Sequence, residues 1–296
     1  MKKTKGKYAS TAQRKAAGKQ KKKSVLIPAL CALLTVSALV FGCILWLTIR
    51  QSRNSNHFQQ LAAQVQAVEQ THGTQPPEPS APTEAPPEAT QPPETQPPQE
   101  TEPAVKTIMD QYAGLYLQNT DFFGWIKIPG SKIDYPVMHS PDEAERYLHA
   151  DFNRNYSYAG TPFLKAACTA DSDNLLIYGH NMLDGSMFRS LLKYENRSYW
   201  EEHPTIQFNT LYEEQEFEVL AAFYDRVYYK TENVFKFYQF IDAEDEADFD
   251  YAVSQFKEKS LYDTGITAEY GDQLITLITC AYHTSNGRFV VVAVKK

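Results

Sequence analysis

Hydrophobic and polar positions keep a different rhythm in each part of the chain. Ser24–Ile49 has no polar rhythm: 26 residues pass without a charge, SVLIPALCALLTVSALVFGCILWLTI. A helix of that length rises roughly 39 Å, enough to cross a bilayer with some tilt. Trp46 near its far end suits an interfacial anchor. Between His57 and Gln70 the apolar residues Phe58, Leu61, Val65 and Val68 fall on one face, which predicts a short helix. From Gln75 to Pro103 the pattern is lost. This stretch holds 11 of the chain's 17 prolines and a loose TQPPE repeat, and no aromatic residue occurs between Phe58 and Tyr112. It buries too little apolar surface to fold, and its Pro-Pro pairs favour extended polyproline II. At about 3.1 Å per residue it makes a spacer of up to roughly 90 Å. As a ligand for a Pro-binding domain it is the less favoured reading.

Patterned sequence resumes after Val105. Ile108, Met109, Tyr112, Leu115 and Tyr116 have helical spacing. Gly124–Ile128 and Ile133–Val137 read as strands around a Pro129-Gly130 turn. Leu175–Tyr178, Ile206–Leu211 and Phe217–Tyr229 supply further strands, and Leu274–Thr279 with Phe289–Val294 forms a terminal hairpin turned at Asn286-Gly287. A short helix is expected over Ser186–Tyr194. A longer one is expected over Asp242–Leu261, whose acidic start suits the positive end of a helix dipole. About 190 residues of this kind fit one mainly antiparallel β-domain, a barrel decorated by helices.

Charge fixes the direction of the apolar run. Met1–Lys23 carries ten basic residues and no acidic one, whereas residues 24–296 carry 19 basic against 36 acidic, about −17 by formal count. A basic head alone would suit nucleic acid, but here it abuts an apolar helix. The positive-inside tendency then places the head in the cytoplasm and everything after Arg50 outside. A cleaved signal peptide has a shorter apolar region and an Ala-x-Ala site, and neither is found here. A lipoprotein site at Cys43 is disfavoured by Phe41 and by the apolar residues that continue beyond it. The divisions are therefore a cytoplasmic head (1–23), a membrane helix (24–49), a disordered stalk (50–105) and a folded domain (106–296).

Candidate chemistry gathers at the hairpin mouth. Cys280 ends one strand and Arg288 opens the next, so antiparallel pairing sets a thiol beside a fixed cation. Such a setting favours thiolate, and the guanidinium can also stabilise an oxyanion. Several plainer readings compete: a buried apolar cysteine, a disulfide to Cys168, and an arginine that merely bonds turn carbonyls. Among seven histidines, His57 and His72 lie in the stalk; His139, His149 and His203 sit in polar loops; His283 lies in the hairpin loop. His180 alone ends an apolar strand, beside Gly179, as a held general acid/base requires. Outside the membrane run no HxH, HxxxH or CxxC spacing marks a zinc site.

Three motifs in order carry a resemblance. TLITC (Thr276–Cys280) with Arg288 downstream is similar to the TLxTC signature of sortases. LLIYGHNM (Leu175–Met182) resembles the histidine region of class B sortases, and DFFGWIKIPGSKIDYPVMHS (Asp121–Ser140) their opening strands. The resemblance implies a closed antiparallel β-barrel, with Cys280 as nucleophile, His180 as general acid/base and Arg288 as oxyanion donor. It further implies that Thr279, Ile278, Tyr178, Asn181 and Met182 contact substrate, and that no cofactor is needed. Implied partners are secreted proteins with a C-terminal LPxTG- or NPxT-like sorting motif, and an amine of the peptidoglycan precursor lipid II or of a pilin. Many class B members have Ser where Ile278 stands, and the loop Ala281–Gly287 is short. Two other readings keep the same residues in view: an inactive tethered module that binds the motif, and a papain-like hydrolase. The latter places Cys before His, whereas His180 precedes Cys280.

Overall fold

A computed structural model of the chain describes residues 11–72 and 106–296. The first ten residues and the whole Pro-rich repeat lie outside the described residues, as do the side chains of residues 11–27, 29, 47–48, 50–55 and 72. Two compact units are present, Met1–Arg53 and Asn54–Lys296. Helix α1 covers Thr11–His72. In the first unit it carries exposed apolar side chains, among them Leu33, Leu39, Phe41 and Trp46. Among the described residues no helix is long and apolar enough to cross a membrane. Within the predicted span the described side chains run unbroken only over 30–46.

The second unit is built on eight strands: β1 (Phe122–Lys127), β2 (Asp134–Met138), β3 (Phe163–Leu164), β4 (Asn174–Tyr178), β5 (Thr205–Thr210), β6 (Glu216–Arg226), β7 (Leu274–Cys280) and β8 (Gly287–Lys295). They close into a barrel in the order β1-β2-β3-β4-β7-β8-β6-β5. The barrel is mainly antiparallel, as expected, with two exceptions. β2 pairs with β3, and β4 with β7, in parallel. Each of these pairs is joined by a long connection, which leaves the incoming strand free to run either way, whereas hairpins enforce antiparallel pairing. β7 and β8 are almost continuously apolar because both of their faces are covered.

Helix α2 (Asp110–Gln118) buries Tyr112 and Leu115, as their spacing predicts. Two other helices start later than their patterns suggest. After a short α3 (Arg197–Glu202), α4 covers Glu246–Lys259, since Asp245 serves as its N-cap, accepting from the Asp248 amide at 2.9 Å. Asp242 ahead of it accepts instead from the Asp173 amide at 3.1 Å. The helix expected from Ser186 is a 3-10 helix over Phe188–Glu195. Met187 just before it has φ +53°, held by a 3.1 Å bond from its amide to the Tyr135 hydroxyl.

The helix read at His57–Gln70 is present as the end of α1. Its Phe58, Leu61 and Val65 are buried in the barrel's core cluster, and Phe58 meets Tyr135 edge-to-face at 5.5 Å. An amphipathic stripe needs a surface to cover, and here the barrel supplies it. Leu61→Ala should therefore lower the stability of the barrel itself by about 2–5 kcal/mol, read as a lower melting temperature of the full chain in detergent. An unchanged melt would show that this helix only rests on the barrel.

Candidate active site

The β4–β7 pairing decides which side chains meet. Its register pairs Asn174 with Leu274 and Tyr178 with Ile278, a constant offset. Parallel strands end at the same edge, so His180, two residues past Tyr178, comes beside Cys280, two residues past Ile278. Two bonds continue the pairing past the end of β4: the Gly179 amide donates to the Ile278 carbonyl (3.1 Å), and the Thr279 hydroxyl donates to the Gly179 carbonyl (2.8 Å). Gly179 admits no larger residue, since a Cβ there would stand 2.6 Å from the Phe188 ring. On the other side of β7, Cys280 pairs with Arg288 of β8. One sheet edge thus presents His180, Cys280 and Arg288 in a row.

His180 is held from the loop before β3. Its Nε2 lies 2.8 Å from the Leu148 carbonyl oxygen. A carbonyl only accepts, so Nε2 carries the proton and Nδ1 of the neutral ring is the free base. Burial lowers the His180 pKa below 6.5; the Leu148 bond opposes this and nearby His149 adds to it. His149, read as a solvated loop residue, is exposed but stacks on His180 with ring centroids 5.5 Å apart. The loop is anchored in turn, with Tyr147 donating to Asp121 at 2.7 Å and accepting from Asn119 at 2.8 Å.

His180, Cys280 and Arg288 line one cleft of about 450 Å³, together with Leu148, Phe163, Lys165, Tyr178, Ile278 and Thr279. Cys280 is half-buried with a free thiol. Cys168 is buried and also free, so the disulfide reading is set aside. Arg288 Nη1 donates to the carbonyls of Gly287 (2.9 Å) and Asn286 (3.3 Å). Its Nε and Nη2 make no hydrogen bond among the described residues. A thiol, a neutral imidazole and a cation around one cleft is an arrangement competent for nucleophilic acyl transfer.

The Sortase domain family matches residues 126–296. The chain belongs to the sortase family. It is 32% identical over 175 residues to sortase B of Listeria monocytogenes, covering 58% of this chain and 68% of that enzyme. It is 30% identical over 190 residues to sortase B of Staphylococcus aureus, covering 63% and 75%. The solved S. aureus sortase B–substrate complex shares its fold, with a TM-score of 0.65 at 23% identity, over 84% of this chain and 98% of that one. This sortase is accordingly a cysteine transpeptidase, acting on sorting motifs.

Of the five residues expected to contact substrate, Tyr178, Ile278 and Thr279 line the cleft of the sortase. Thr279 does so with its hydroxyl already bonded to Gly179. Asn181 and Met182 do not line it. Met182 is buried in the core, and Asn181 is buried with its amide on the Cys280 carbonyl. The chain turns inward after His180, which carries both away from the opening. Leu148 and Lys165 went unread in the sequence. Leu148 acts through a backbone carbonyl, which leaves no side-chain signal. Lys165 follows a two-residue strand too short to show a period, and its Nζ donates to the Tyr238 carbonyl at 2.6 Å.

Two half-buried imidazoles carry a pH signature. His139, like His180, is held below 6.5 chiefly by burial. The unfolded chain therefore takes up protons near 6.5 that the folded sortase refuses, so stability is full above that pH. It should begin to fall as the pH drops past about 6.5, above the range where ordinary carboxylates protonate, and level off only below the depressed folded values. Chemical unfolding across this range checks it, and His180→Gln should flatten the slope. A slope unchanged in His180→Gln would remove His180 from the account.

Proposed function

We propose that this sortase is anchored by its apolar helix and cleaves a C-terminal LPxTG- or NPxT-like motif of secreted proteins after its Thr. It then joins them to an amine of lipid II or of a pilin. The carrying observation is the β4–β7 register, which brings His180 and Cys280 to one cleft with Arg288 paired across. The Cys280 thiol gives its proton to Nδ1 of His180 as sulfur attacks the Thr carbonyl. The C–N bond breaks, and His180 returns the proton to the leaving amine. The acceptor amine then attacks the thioester, the C–S bond breaks, and the amine's proton passes through Nδ1 of His180 to the departing Cys280 sulfur. Arg288, with Nη1 on the turn, keeps other donors for the oxyanion.

The 26 uncharged residues of Ser24–Ile49 and the basic head before them support a single span with the catalytic domain outside the cell. Protease added to intact cells should then release a soluble catalytic fragment while the N-terminal lysines stay unlabelled from outside; the reverse labelling would invert the orientation.

Purified full chain, offered a library of pentapeptide motifs and amine acceptors with products read by mass, identifies both substrates. Cys280→Ala should abolish turnover with the fold intact, and His180→Ala should reduce the rate by at least about 10²-fold. Arg288→Lys keeps the charge but loses the forked donor geometry. An oxyanion role gives near-normal melting with kcat down by roughly 10²-fold or more, whereas a purely turn-bracing role leaves kcat intact.

A further inference from the structure

We propose that Asn181 and Arg189 form a positioning clamp that completes the β4–β7 ladder at Cys280. The proposal rests on Cys280 being the nucleophile. In a parallel ladder the bonds recur every second residue. The Gly179 amide reaches the Ile278 carbonyl, so the next rung would run from the amide of residue 181 to the carbonyl of residue 280. The backbone cannot supply it. At His180 the chain leaves β7 and pairs back on itself: the Phe188 amide donates to the His180 carbonyl at 2.9 Å, and Asn181 bridges to Met187. The side chain supplies the rung instead. Asn181 Nδ2 donates to the Cys280 carbonyl at 2.7 Å.

Which way the amide points is settled by its other end. Asn181 Oδ1 lies 2.9 Å from Nη1 of Arg189, and a guanidinium only donates, so oxygen must face Arg189 and nitrogen must face Cys280. Asn181 is buried, so the Cys280 carbonyl would be left without this donor if the amide turned over. The amide of Ala281 in the same peptide unit donates to the Gly287 carbonyl at 3.0 Å. The Cys280–Ala281 peptide is thus gripped at both ends, and the thiol's place beside His180 is set without any tether on the sulfur. The clamp also lets His180 leave the strand and turn toward the cleft while its neighbour holds the strand's place.

The test uses the full chain in detergent with internally quenched LPxTG and NPxT peptides. Asn181→Asp keeps the shape and the Arg189 pairing but removes the donor to Cys280; Asn181→Ala removes both. Both should lower kcat by roughly ten- to a hundredfold, the scale of a slight misplacement of reacting groups, with KM little changed. Asn181→Asp should retain near wild-type melting. Arg189→Ala, which frees the amide to flip, should lose part of the rate, and Arg189→Lys should recover most of it. Wild-type kcat in Asn181→Asp overturns the clamp. So does an effect confined to KM, which would make Asn181 a substrate contact. Cys280→Ala is run alongside: turnover surviving there defeats the nucleophile assignment instead. Should Asn181→Ala fail to fold, the Asp variant and the Arg189 pair decide alone.

Discussion

The structure depends on one pairing, that of β4 with β7. Parallel strands cannot be joined by a tight turn, so the chain places the 3-10 helix, two barrel strands and α4 between them before it returns. That long excursion has a geometric result no hairpin can give. Two strand ends from distant sequence stop at the same edge, one closing on Cys280 and the other leading into His180. The offset in the ladder equals the distance in sequence between His180 and Cys280, so a slip of register would separate them.

Around that edge, burial and hydrogen bonding divide the work. Burial keeps His180 uncharged, and the Leu148 carbonyl chooses which nitrogen holds its proton. Arg288 is drawn toward the turn by two carbonyls and so stays near the mouth of the hairpin. Gly179 is small because Phe188 lies directly over it. These are different forces, but each fixes an orientation, not merely a position.

Much of this was legible in the residues. Helical spacing marked α2 and α4, and apolar runs bounded by turns marked every strand but the two-residue β3. The hairpin mouth was legible too, since a turn at Asn286-Gly287 leaves Cys280 and Arg288 only one way to pair. What the pattern could not reveal was partnership. An apolar strand such as Leu175–Tyr178 suits a parallel or an antiparallel neighbour equally, so the direction of β4 against β7 went unread. Backbone groups were also invisible, Leu148 above all. The family likeness puts Asn181 among the substrate contacts, but the sequence carries no trace of the inward turn that hides it.

The end of α1 makes sequence and space disagree about where the catalytic unit begins. Phe58, Leu61 and Val65 belong to the barrel's core although the Pro-rich run separates them from the first strand. His57 reaches Phe152 of the loop that carries Leu148, and Phe58 touches Tyr135, whose hydroxyl holds Met187. A fragment cut at the start of the continuous domain would therefore be missing an internal wall. It would expose apolar surface and loosen the two supports nearest His180, so weak activity in such a fragment would report the cut, not the enzyme.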